Sequence, residues 1–150
     1  MPFSRQYYSL KDIEENDLKC VDLGCGKRKK AGYIGLDIRP FKGVDYQIDI
    51  TKDKFPFEDD SIDCVDSESM FEHLTSNGLF HCIDECWRVI KPKGFLRITV
   101  PRFPTDLSVL HPDHKRFFIP DTFSFFQVPA DGVDPHGYLK GRFWHVSVMS

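Results

Sequence analysis

Apolar residues recur along the chain in short runs, and the polar residues between them are of the types that end elements. Residues 18–23, 33–38, 44–50, 62–66 and 95–100 each read as a strand. The first is closed by Gly24, the second by Arg39-Pro40 and the fifth by Pro101; the third, VDYQIDI, alternates apolar and polar positions. Between the third and fourth lies KFPFEDDS, a polar turn between two Phe anchors. Only one stretch has a strong helical period. Over 77–90, Leu79, Ile83, Cys86 and Ile90 share a stripe with Cys82 and Val89 beside it. Thr75 or Ser76 can cap its start, Arg88 and Lys91 suit the negative end of its dipole, and Pro92 and Gly94 stop it. A short helix near 121–127, a Gly/Pro/Asp-rich loop and a last strand over 143–149 complete the pattern.

Short apolar strands joined by crossovers predict an α/β fold with a mostly parallel, doubly wound sheet. Ligands of such sheets bind at the carboxyl ends of the strands. Those ends carry Gly24 to Gly26, Asp37, Asp49, Ser67 with Glu68, and Pro101 with Arg102. The polar residues of the strands thus gather on one edge.

The chain's 150 residues suit one domain, and 14 Phe imply a filled core or an apolar pocket. A net charge of −3 and a pI near 6.0 argue against broad electrostatic binding to nucleic acid or to an anionic membrane. No apolar run approaches the roughly 20 residues of a membrane span, and the amino-terminal MPFSRQYYSLKDIEEND lacks an apolar stretch of the signal-peptide kind. Five cysteines, an odd count placed mostly in apolar patterns, fit reduced thiols in a cytoplasmic protein. Cys82 and Cys86 share a helix face with His81 next door, but small apolar residues on a buried face explain them better than a metal. No metal site is expected.

The stretch VDLGCGKRKKAGYIGLDI, 21–38, carries the chemistry. A dinucleotide turn reads G-x-G-x-x-G, opens a helix and has its acid about 20 residues on. Here Lys29 stands at the third glycine position, Asp37 follows Gly24 by thirteen positions, and only residues 27–32 separate the turn from the next strand. A full helix does not fit, so a pyrophosphate loses its helix N-terminus. No phosphate-loop motif occurs. A ligand that needs close backbone approach without a phosphate cradle fits better. Gly24 and Gly26 admit it, Asp37 can accept from both hydroxyls of a ribose, and Asp49 can accept from an adenine amino group. Those are the needs of S-adenosylmethionine. Each residue also has a plainer reading: the glycines serve a tight turn, Asp37 caps the loop before Pro40, Asp49 starts a turn through Thr51, and Lys27 to Lys30 form a solvated loop.

VDLGCG, GYIGLDI, DIT…FPFEDDSIDCVDSESMFEHL and ECWRVIKPKGFLRITVP, in this order and spacing, resemble the class I S-adenosylmethionine-dependent methyltransferases, and most of all the small type 11 branch with a shortened loop after the glycine motif. The likeness runs from about Lys19 to Arg102. It implies a Rossmann-like methyltransferase sheet and S-adenosyl-L-methionine as cofactor. Asp22, Gly24, Cys25 and Gly26 would hold the methionine part, Asp37 with Ile38 the ribose side, and Asp49 with Ile50 the adenine. Ser67 and Glu68 would face the methyl group.

The resemblance also frames the rest of the chain as one domain: an amino-terminal extension over 1–17, a cofactor-binding core over 18–102, and an acceptor-side region with a last strand over 103–150. Both ends look truncated against the family, which carries a helix before the first strand and ends in an antiparallel strand pair. A bare last strand invites self-association or a partner chain. Acceptor-side candidates are His73, from the EHL match, and His111, His114 and Arg116 of HPDHKRFF; these could equally form a polar loop pinned by Phe117 and Phe118. The fourth strand ends in DSES rather than in the NPPY-type motif of amino-directed nucleic-acid enzymes, so a small molecule, glycan or protein is the expected acceptor. Two further readings compete. One is a methyltransferase-like module without turnover that serves assembly. The other is a nicotinamide-dependent oxidoreductase, which the clipped loop disfavours.

Overall fold

A computed structural model of the chain describes residues 7–126 and 146–149. Six strands form one sheet in the order β3-β2-β1-β4-β5-β6, and every neighbouring pair is parallel. The strands are β1 (Cys20–Leu23), β2 (Ile34–Asp37), β3 (Tyr46–Gln47), β4 (Ile62–Glu68), β5 (Ile90–Thr99) and β6 (Val146–Met149). The helices are α1 (Leu10–Asn16), α2 (Ser76–Val89) and α3 (Asp106–Leu110), with 3-10 turns at Phe71–His73 and Pro120–Phe126. This is the doubly wound strand order of nucleotide-binding α/β folds.

The helix α2 begins where the sequence places it. Thr75 caps it by accepting from the Gly78 N–H. Its buried stripe, Leu79, Cys82, Ile83, Cys86 and Val89, joins Val21, Leu23, Leu36, Val65, Leu96 and Ile98 of the sheet in the main core. Each fully buried side chain of this size contributes about 1.5–3 kcal/mol. Cys82 and Cys86 are wholly buried, and the neighbouring His81 ring bonds to the Asp53 carbonyl at 2.8 Å, away from both thiols.

Several boundaries move for local reasons. β3 is two residues long rather than seven. The carboxylate of Asp45 is taken by the Gly35 N–H at 2.7 Å and by Lys29, and that of Asp49 by Thr51, so both flanks turn out of the ladder. β5 starts directly at Ile90, because the ladder pairs Ile62 with Ile90 and then Cys64 with Phe95. Lys91 to Gly94 form a bulge in which Lys93 takes a φ of 71°, and Pro92 and Gly94 lie inside the strand rather than before it. The extension before the first strand holds α1, whose Ser9 and Asp12 make reciprocal capping bonds. The expected helix near 121–127 is a 3-10 turn, and α3 is an element the pattern did not announce. The last strand spans four residues and pairs directly with β5; 143–145 lie outside the described residues.

The second face of the sheet is built differently. At its amino-terminal half Ile13 of α1 packs with Cys20, Tyr33 and Cys64, and Tyr8, Leu18 and Phe95 close the edge of this cluster. Towards the carboxyl ends the same face carries Asp22, Asp66 and Arg97, side by side in register on β1, β4 and β5. A crossover helix between β1 and β2 would cover this area in a fully wound sheet. Residues 24–33 contain none.

Candidate functional site

The glycine turn and the acid after β2 form one hydrogen-bonded unit. Gly24 and Gly26 take φ of +69° and +56°, the left-handed region where a Cβ is strained. The N–H groups of Gly24 and Cys25 both donate to the Leu36 carbonyl, at 2.8 and 3.1 Å, and the Gly26 N–H donates to Asp37 Oδ2 at 2.8 Å. The other oxygen of Asp37 accepts from the Arg39 N–H at 2.9 Å. The clipped loop therefore brings the acid directly to the turn. The two glycines differ. A Cβ on Gly24 would lie 2.7 Å from Met70 Cγ, whereas one on Gly26 would meet nothing within 4 Å. Gly24 makes room for Met70, and Gly26 faces open space. Ile38 beside Asp37 is 57% exposed, unusual for an isoleucine at a strand end.

Cys25 turns inward. A Cβ on Gly35 would lie 2.8 Å from its sulfur and 2.6 Å from Lys29 Cδ, so Gly35 is the space they occupy. Burial, with Asp22 and Asp37 nearby, pushes the Cys25 thiol up to about 11. Only its backbone is on offer to a ligand.

Asp49 is committed to its own turn. Its Oδ1 accepts from the hydroxyl and the N–H of Thr51, at 2.5 and 3.0 Å, while its N–H donates to Asp53. The Thr51 hydroxyl holds its carboxyl below the usual range, against the opposing effect of burial. Its Oδ2 has Lys52 at 3.5 Å. Ile50 is buried beneath it. Ser67 is 1% exposed, and its hydroxyl has no hydrogen-bond partner among the described residues.

Asp22 and Glu68 are drawn into a charge network. Arg97 forms a two-pronged pair with Asp66 at 2.6 and 2.7 Å and reaches Glu68 at 2.7 Å. Lys30 Nζ lies 3.1 Å from Asp66, 3.4 Å from Glu68 and 3.9 Å from Asp22, and its N–H donates to Asp22 Oδ2 at 2.9 Å. The Tyr7 ring covers Arg97 at 5.1 Å. Burial pushes the Asp22 carboxyl up despite the Lys30 N–H and charge. Burial acts the same way on Glu68, but Lys30 and Arg97 outweigh it and leave that carboxyl low. Lys27 and Arg28 are exposed as expected of a solvated loop; Lys30 is not, its side chain being 18% exposed. Asp66 and Arg97, charged residues inside two apolar strands at matching depth, were the available signal for this network.

Of the four residues expected on an acceptor side, three meet. The rings of His73, His111 and His114 have centroids 4.9–5.4 Å apart. Arg116 is separate: its guanidinium donates to the Leu74 carbonyl at 2.8 Å and to Ser76 Oγ at 3.0 Å, bracing the loop against the start of α2. Glu72 of the EHL match is 1% exposed, and its Oε2 has no partner among the described residues. Phe118 is buried against Phe123, while Phe117 is half exposed.

Residues 39–98 match the family model described as a methyltransferase domain. Among solved structures, a SAM-dependent methyltransferase from Archaeoglobus fulgidus superposes with a TM-score of 0.62 at 20% identity, over 77% of this chain and 64% of that one. The present chain thus spans under two thirds of that relative. A trans-methyltransferase, CalH, in complex with SAH gives a TM-score of 0.41 at 23% identity, over 53% of this chain and 30% of that one. The complex between the Haloferax volcanii Trm112 methyltransferase activator and a putative methyltransferase gives 0.40 at 23%, over 58% and 54%. No curated protein matches the chain. The chain has a Rossmann-like methyltransferase fold and, over 39–98, matches the methyltransferase-domain model.

Proposed function

We propose that this domain binds S-adenosyl-L-methionine at the carboxyl ends of β1, β2 and β4 and transfers its methyl group to an acceptor. The observation that carries the reading is the union of glycine turn and acid. Asp37 is tied to the Gly26 N–H at 2.8 Å, with open space where a Gly26 side chain would be. A carboxylate offers about four acceptor sites, and the two backbone bonds leave Asp37 free to accept from ribose hydroxyls. The exposed Ile38 supplies an apolar surface for the adenine, Asp49 and the backbone at Ile50 its polar edge, and the backbone of Cys25 and Gly26 the approach to the methionine part. The orphaned Ser67 hydroxyl is a buried donor at the end of β4 that a ligand would satisfy.

The cofactor supplies a methyl group on a sulfonium, activated for in-line displacement. The chain's part is to align the acceptor and exclude water, and a base is needed only where the acceptor keeps its proton. His73, His111 and His114 line the acceptor side in this reading, and the acceptor is a small molecule, glycan or protein rather than nucleic acid. Asp22 and Glu68 act indirectly, by fixing the loop through Lys30. Five free, buried cysteines suit a reducing compartment such as the cytoplasm. The outer edge of β6 has no strand partner among the described residues and suits a second chain.

A thermal shift separates this reading from a nicotinamide-dependent one. S-adenosylhomocysteine at a hundredfold excess over Kd adds about 2.7 kcal/mol, roughly 5–11 °C for a domain of this size. NAD should add nothing; the reverse pattern would remove the proposal.

A further inference from the structure

The geometry points to a transition-metal site: we propose that His73, His111 and His114 bind one divalent ion of the zinc class, with the buried Glu72 carboxylate as the fourth donor. The site stands independently of the methyl-transfer reading. One donor atom from each imidazole lies within 4.8 Å of the others, the one such grouping of three among the described residues. A tetrahedral ion with Zn–N bonds of 2.0–2.1 Å needs its ligands about 3.3–3.4 Å apart, so the three imidazoles, now within 4.8 Å of one another, must draw closer to close on the ion. Glu72 Oε1 is 4.0 Å from His73 Nε2, close to that edge already.

Hydrogen bonds around the rings orient two of them for a metal. His73 Nδ1 faces Asp113 Oδ2 at 3.0 Å, and His114 Nδ1 faces the Ser108 carbonyl at 2.8 Å. A carbonyl or carboxylate only accepts, so both Nδ1 atoms carry a proton, and in the neutral ring that leaves the Nε2 lone pair for a metal. A ligating histidine held by a carboxylate or carbonyl is the usual outer arrangement of metal sites. His111 is the adjustable member: its Nδ1 accepts from the Asp113 N–H at 3.2 Å, a long bond that it must give up to ligate through Nε2. The independent pointer to a ligand is Glu72. Its side chain is 2% exposed, and its Oε2 has no hydrogen-bond partner. A buried carboxylate oxygen left without a partner beside three imidazoles is costly unless a cation or a proton satisfies it. The frame is rigid, since the Lys115 N–H donates to the Glu72 carbonyl at 2.8 Å and Arg116 ties the same loop to Leu74. Imidazole donors with one carboxylate suit zinc, with cobalt as its spectroscopic substitute.

The test uses untagged, chelator-treated full chain, titrated with Zn²⁺ by calorimetry and with Co²⁺ by visible absorption. One ion per chain is expected, with the intense visible bands of four-coordinate cobalt. His111→Ala, at an exposed position, should lower zinc affinity about tenfold or more, and Asp113→Asn about tenfold through the His73 tautomer. His81→Ala, outside the cluster, should change nothing. Circular dichroism of the metal-free variants controls for folding. Should His111→Ala not fold, His111→Gln replaces it, and zinc binding by folded His111→Gln equal to that of wild type would overturn the site. Equal zinc binding by wild type and the His111→Ala variant, or no stoichiometric binding by wild type, overturns the site.

Discussion

Replacing Lys30 by Met keeps the length of the side chain and removes its charge from among three carboxylates. At an effective dielectric of about 20, each of its contacts, at 3.1, 3.4 and 3.9 Å, has a gross attraction on the order of 4–5 kcal/mol. Desolvation cancels most of that, and removing one partner from a buried ionic group typically costs 3–5 kcal/mol. Arg97 remains on Asp66 and Glu68, and the Lys30 side chain is 18% exposed, so the lower end applies: about 3 kcal/mol at pH 7. That corresponds to a Tm lower by about 6–12 °C. The pH dependence identifies the cause. Asp22 titrates above its ordinary 3.8 in the folded chain, so its contribution is full below 3.8 and is lost as pH rises through the raised value. Glu68 titrates below its ordinary 4.5, so its contribution is present above 4.5 and is lost as pH falls through the lowered value. Lys30 pulls both downward, so without it both rise, and the variant's deficit should shrink as pH falls from 7 into the carboxylate range. Urea denaturation at pH 7 and pH 4.5 measures it. A deficit below about 1 kcal/mol, or one that is equal at both pH values, would show that Lys30 is only a solvated loop residue.

Other outcomes follow from single contacts. Gly26→Ala should fold with a loss of about 1–2 kcal/mol from its φ of +56°, since no neighbour is hit, and should still weaken S-adenosylhomocysteine binding; unchanged affinity by calorimetry would leave the turn a purely structural role. Arg88 bonds Glu85, Asp59 and the carbonyls of Phe55 and Phe57, so Arg88→Ala should cost about 3 kcal/mol in urea denaturation, and a loss under 1 kcal/mol would contradict its role in pinning that loop. All five cysteines are buried and free, with Cys25 pushed up to about 11, so Ellman's reagent at pH 8 should find no fast thiol in the native chain and five after guanidinium; a fast native thiol would mean that the turn opens. If a second chain pairs with the edge of β6, light scattering should show mass rising with concentration, and a constant monomer mass would remove that proposal.

The sheet, its parallel sense and the helix α2 were legible because apolar period and capping agree with the final packing. Thr75, Leu79, Ile83 and Pro101 each mark in sequence what they do in space. The turn unit was legible as residue types, since a glycine and an acid at strand ends are visible one by one. Its closure was not: that Gly26 donates to Asp37 depends on how a ten-residue connection folds without a helix. Lys30 was misread because four consecutive basic residues look solvated. Its burial follows from the uncovered sheet face, where Asp22, Asp66 and Arg97 stand in register, and register is not written in any one strand. β3 and the start of β5 shifted because side-chain carboxylates and a bulge, rather than hydrophobic period, decide where those ladders end. His73 and His111 are 38 positions apart in the chain, and the loop's bonds to Glu72, His73, Leu74 and Ser76 bring them together.

The proposed site seats S-adenosylmethionine on the glycine turn and Asp37. Calorimetry of S-adenosylhomocysteine against wild type and Asp37→Ala tests it most directly, with circular dichroism and urea denaturation to show that the variant is folded. One ligand per chain should bind wild type, and the variant should lose about 1.5–3 kcal/mol, the scale of hydrogen bonds to a charged group. A wild type that does not bind, or a folded Asp37→Ala that binds as tightly as wild type, would contradict the claim.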